Sequence, residues 1–160
     1  MKSSDTLPPL WTCPKCEAKF VTANMSHSCG RFRVKDLFAN SDPHVFQLYE
    51  RYKRMVKACG AVTIVPQKTR LVFMVRMRFA GVYPRKSYLR AAFLLTRRLP
   101  PDPRIAKETA YTPRCIGYEL RIDRLDQLDA TVQRWLNEAY AVGAQTDFVR
   151  HGNAARRRSG

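Results

Sequence analysis

"TRLVFMVRMRF", residues 69 to 79, alternates along its whole length. Leu71, Phe73, Val75, Met77 and Phe79 fall on one side, and Arg70, Val72, Met74, Arg76 and Arg78 on the other. A period of two is the period of a strand. The stretch therefore reads as a single strand with one apolar face on a core and one face half apolar, half basic. Working outward, "SYLRAAFLLTRR" (87–98) repeats the pattern, with Leu89, Ala91, Phe93 and Leu95 on one side and Arg90 on the other. "RCIGYELRI" (114–122) gives a further strand through Ile116, Tyr118, Leu120 and Ile122. "VTIV" (62–65), stopped by Pro66, is a short one, and "RIAKETAY" (104–111) is a candidate edge strand. "AGVYPRKS" (80–87) reads as the link between the first two long strands.

Helical spacing flanks this block. In "SDPHVFQLYERYKRMVKACG" (41–60), Val45, Leu48, Tyr49, Tyr52, Val56 and Cys59 form one stripe. Asp42 suits the cap, Pro43 the first turn and Gly60 a left-handed stop. At the far end Leu125, Leu128, Val132, Trp135, Leu136, Ala139 and Val142 repeat at offsets of three and four, with Gly143 as the stop. Asp123 and Asp126 sit near the positive end of that helix, and "RVKDLFAN" (33–40) suits a short helix or turn. The expected fold class is α+β: an N-terminal zinc-knuckle module, then an antiparallel sheet of about four to five strands flanked by two main helices. The domains would be a zinc-binding module at 1–30, an α+β domain at 31–149 and a disordered basic tail at 150–160.

The charge narrows the function. The chain has 160 residues with 29 lysines and arginines against 13 acids, a net charge of +16. Residues 61–124 alone carry 14 basic and 4 acidic residues. Such a surplus attracts polyanions. No apolar run is long enough to cross a bilayer, and the first residues lack the apolar stretch of a secretory signal, so a cytoplasmic protein is expected.

Three of the five cysteines lie in "CPKCEAKFVTANMSHSCG" (13–30). Cys13 and Cys16 form C-P-x-C, a turn that brings two thiolates to one ion, and His27 and Cys29 follow. The set Cys13, Cys16, His27 and Cys29 has the soft and borderline donors that zinc prefers. Phe20 and Trp11 supply aromatics for a minute core. Four protein ligands leave no position for water, so the Zn2+ would be structural. His27 and Cys29 are only two residues apart, which requires a tight turn at Gly30; a three-thiolate site with an open position is the alternative.

"WTCPKCEAKF…HSCG", "VPQKTRLVFMVRMRFAGVYPRKSYLRAAFLLTRR" and "WLNEAYAVG" together resemble a bacterial family known only as a domain of unknown function, number 5655, with zinc-knuckle-bearing members. The resemblance covers most of residues 11–143. It implies a domain extent and, for Cys13, Cys16, His27 and Cys29, a metal-ligand role; it brings no activity, substrate or catalytic residue. A transport label attached to similar domains in other proteins finds no membrane segment here.

No phosphate loop, dinucleotide fingerprint, H-E-x-x-H or nucleophile elbow occurs. Cys59 and Cys115 read as small buried hydrophobes, and His44 and His151 as surface residues. Asp102 and Glu108 beside Lys107 resemble a metal-dependent nuclease only faintly, so no enzyme is expected. Two functions remain. One is nucleic-acid binding (DNA or RNA) through phosphate contacts by Arg70, Arg76, Arg78, Arg85, Lys86 and Arg90, with Tyr83 and Tyr88 placed to stack on bases. The other is a zinc-stabilised adaptor for an acidic protein partner. No small-molecule substrate is evident.

Overall fold

The structure is a computed structural model that describes residues 7–17, 19–25 and 32–146. It begins with a two-stranded hairpin, β1 (Trp11–Thr12) and β2 (Lys19–Phe20). The helices α1 (Val34–Leu37) and α2 (Pro43–Ala58) follow. Six strands come next: β3 (Thr63–Pro66), β4 (Leu71–Met74), β5 (Arg78–Pro84), β6 (Leu89–Leu95), β7 (Ile105–Thr112) and β8 (Cys115–Ile122). A 3-10 turn at Leu125–Gln127 leads into α3 (Ala130–Gly143). The strands form one antiparallel sheet in the order β3-β4-β5-β6-β8-β7. The architecture is thus α+β, with six strands in the sheet where four to five were expected.

The opening stretch is where sequence and structure part. Residues 69–79 do not form one strand. β4 ends at Met74, the chain turns through 75–77, and β5 runs back with Leu71 opposite Val82 and Phe73 opposite Ala80. "AGVYP", expected as a link, is mostly strand. The turn is secured by a distant partner: the N–H groups of Arg76 and Met77 both donate to Gly143 O, at 3.0 and 3.1 Å. The last carbonyls of a helix have no intrahelical donor, so the end of α3 and the turn satisfy one another. Nothing within residues 69–79 announces that contact.

The front face of the sheet carries the core. Leu71, Phe73, Val82, Leu89, Phe93, Leu95, Tyr118, Leu120 and Ile122 are almost fully buried there, under the α2 and α3 stripes. Tyr52 packs against Phe73 with ring centroids 5.9 Å apart and donates its hydroxyl to Ala92 O at 2.9 Å. Trp135 stacks on Phe93 at 5.9 Å. The α2 stripe agrees with its spacing except that Met55 is buried and Cys59 only half so.

Both helix starts differ from expectation. Asp42 precedes α2, but its carboxylate caps nothing and pairs instead with Lys86 at 3.2 Å. α3 begins later than its stripe suggested, and its cap is Asp129, whose Oδ1 accepts from Val132 N at 3.1 Å. Leu125 lies in the 3-10 turn and is exposed. Gly143 closes α3 for a packing reason: a Cβ there would lie 2.5 Å from Phe79 Cδ1. Gly60 does have a positive φ of 149°, as a helix stop should.

The back face is covered in part by the N-terminal hairpin. Cys13 and Phe20 pack on Val72 and Met74, with Trp11, Cys16 and Val65 at the margin. The apolar residues among the arginines of β4 are therefore covered by this hairpin.

Candidate nucleic-acid interface

Beyond the hairpin, the back face opens into a groove of about 450 Å³. Its floor is made of small residues on adjacent strands: Gly81 on β5, Ala92 on β6 and Gly117 on β8. Gly81 is needed because β4 passes so close that a Cβ would stand 2.9 Å from Leu71 O. Phe20, Val21 and Met25 bound one side, and Tyr111 of β7 the other.

Arg70, Arg76 and Arg78 all line this groove, though not from one strand: Arg70 precedes β4, Arg76 is in the turn and Arg78 opens β5. Arg70 donates to Gln67 Oε1 at 2.7 Å and to Tyr83 OH at 2.8 Å. Arg76 donates to Gln145 Oε1 at 3.0 Å and to Pro8 O. None of the three has a carboxylate partner among the described residues. The other three expected cations stand apart from the groove. Arg85 and Lys86 lie in the β5–β6 turn, with Lys86 bound to Asp42. Arg90 is on the back face, and its Nη1 stands 3.4 Å from Glu119 Oε2.

Among the described residues Glu119 is the one acid of the groove wall. Its Oε2 is buried and accepts no hydrogen bond. Arg90 supplies charge at 3.4 Å without hydrogen-bond geometry, so the two observations agree: an ion pair with an unsatisfied oxygen.

The aromatics also sort differently from expectation. Tyr83 is engaged by Arg70, and Tyr88 lies under the Arg121 guanidinium, 3.9 Å from the ring centroid. Tyr111 is the exposed one, with 66 % of its surface accessible. Its ring stands over Gly117, where a Cβ would be 2.8 Å from Cε2. Cross-strand register between β7 and β8 creates this arrangement, and no local pattern signals it. Cys115 also lines the groove, and burial raises its thiol pKa, which keeps it protonated.

Away from the groove several charges are matched, although Arg54, Lys57, Arg85 and Arg114 have no carboxylate partner among the described residues. Arg97 pairs with Glu138, Arg98 with Glu108, Arg121 with Asp123 and Arg124 with Asp126. Asp102 pairs with Arg104 at 2.8 Å, so the two acids that resembled a nuclease site are held by different arginines. His44 Nε2 lies 2.8 Å from Ser87 O on the surface.

Of the expected metal ligands, Cys13 is buried and Cys16 half-buried at the tip of the β1–β2 hairpin. Glu17 N donates to Cys13 O at 2.8 Å and Glu17 takes a φ of 61°, which closes the C-P-x-C turn. That tight turn with both thiols at one tip fits a thiolate-bound ion. His27, Cys29 and the tail at 150–160 lie outside the described residues. Among the described residues no group of three or more His, Cys, Asp or Glu converges, so an ion held by Cys13 and Cys16 would need further ligands. No helix among the described residues is long and apolar enough to cross a membrane.

No curated protein and no solved structure matches the chain. One family does, over residues 34–143, which spans α1 to α3 and excludes the N-terminal cysteines. Sheet, helices and groove floor all lie inside that range: the chain belongs to the family described as Domain of unknown function (DUF5655).

Proposed function

We propose that the protein binds nucleic acid through phosphate contacts on the back face of its sheet, beside an N-terminal hairpin held by a structural zinc ion. The observation that carries the reading is the distribution of unmatched charge. Arg70, Arg76 and Arg78 line one groove without a carboxylate partner among the described residues, whereas Arg97, Arg98, Arg104, Arg121 and Arg124 are each paired with an acid. A cationic groove concentrates field and draws a polyanion. Cys13, Cys16, His27 and Cys29 would hold the zinc, whose chemistry here is to tie the hairpin together.

The test is affinity for a labelled single strand across a salt series. Log affinity should fall linearly with log salt, and Arg78→Gln should flatten the slope by about 0.7, one phosphate's worth on a single strand. Arg78 is the cleanest variant because its side chain makes no hydrogen bond or ion pair among the described residues. Absence of binding at low salt would overturn the reading. Retention of a defined acidic protein after nuclease treatment would then favour the adaptor.

A further inference from the structure

We infer that the groove is a pocket for one unpaired base of a single strand, stacked on Tyr111. The inference rests on the proposed nucleic-acid reading and deepens it.

Two features separate a base pocket from a plain phosphate track. The first is the floor: Gly81, Ala92 and Gly117 leave a flat apolar surface in the middle of a sheet otherwise studded with long side chains. Its volume of about 450 Å³ is in the range of small-molecule sites rather than of a duplex backbone. The second is Tyr111, a largely exposed ring backed by a glycine, with one face available to a partner. Aromatic platforms of this kind bind bases by stacking and tolerate any sequence. A base paired within a duplex has no free face to offer, so the site selects single strands.

Arg76 and Arg78 at the rim meet the phosphates that flank the stacked base.

The experiment compares two labelled ligands at one low salt concentration: an all-thymine 11-mer and a duplex of equal length. Tyr111→Ala should weaken the single strand roughly tenfold and leave the duplex unchanged, with Tyr111→Phe retaining binding. Ala92→Leu, which fills the floor, should act like Tyr111→Ala. Circular dichroism and melting of each variant establish that it is folded. If the single strand binds but Tyr111→Ala and Ala92→Leu do not weaken that binding, the base pocket is refuted while phosphate binding stands. If no ligand binds to the wild-type protein, the nucleic-acid reading itself fails.

Discussion

The Tyr111 ring occupies the space in which the first side-chain carbon of residue 117 would stand: a Cβ on Gly117 lies 2.8 Å from Tyr111 Cε2. Only glycine lets the ring come down onto the sheet. Because Tyr111 is exposed on an edge strand, the ring can swing away at little cost. Gly117→Ala should therefore leave the melting temperature nearly unchanged while displacing Tyr111 from the groove wall. Its effect on single-strand affinity should equal that of Tyr111→Ala, and the double variant should be no worse than either. Additive losses in the double variant would show that the two residues act separately.

Gly143 faces the opposite situation. A Cβ there would lie 2.5 to 2.9 Å from Phe79 Cδ1, Cγ and Cβ, and Phe79 is fully buried. A packed ring fixed at its own Cβ has nowhere to go. Gly143→Ala should destabilise the fold by about 2–3 kcal/mol, the cost of forcing atoms into a filled core. Urea denaturation reads this directly. The loss should also free the 75–77 turn, since its amides depend on Gly143 O.

Arg104 ties the start of β7 to the start of α3. Its guanidinium pairs with Asp102 at 2.8 Å and Asp129 at 2.9 Å, donates to Gln127 O at 2.9 Å, and lies 5.2 Å from the centroid of Trp135. Its side chain is only 13 % exposed. The hydrogen bond from Arg104, against an opposing effect of burial, holds the Asp102 carboxyl below its ordinary 3.8. For Asp129 burial is the largest influence and raises the pKa, but hydrogen bonds from Arg104 and the Val132 N–H, with other smaller effects, outweigh it. A carboxyl whose pKa is lowered by folding stabilises the fold above its unfolded pKa and loses that contribution as pH falls through the folded value. Arg104→Ala should therefore cost about 2 kcal/mol at neutral pH. The gap from wild type should narrow as pH drops below about 3.8. A gap independent of pH would assign the loss to packing on Trp135 alone.

Metal removal has a predicted address. The β1–β2 hairpin covers Val72 and Met74 on the back face. If zinc holds that hairpin, purified protein should contain one zinc ion per chain, and chelation should speed amide exchange in β3 and β4. The helical face should exchange as before, because its contacts do not involve the hairpin. Cys13→Ser should reproduce the effect of the chelator. Unchanged exchange after complete metal loss would contradict a structural role.

Much of the fold follows from side-chain period alone. The buried alternation in β6 and β8 and the α2 and α3 stripes are local patterns, and local patterns are what a sequence displays. The hairpin at 75–77 was hidden because both arms alternate in phase with each other across the turn, and the contact that fixes it comes from Gly143, far along the chain. The site divides the same way. Arg70, Arg76 and Arg78 could be named from one strand's parity. Tyr111 and Gly117 meet only through pairing of β7 with β8, and nothing in "RIAKETAY" or "RCIGYELRI" alone marks them as one site.

The most direct measurement of the central claim is a map of amide chemical-shift changes as a short single strand is added at low salt. The account predicts that the changes cluster on the back face, at Arg78, Gly81, Ala92 and Gly117, and leave the exposed basic positions of α2, Arg54 and Lys57, unmoved. Changes centred on α2, or none at all at saturating strand, would contradict it.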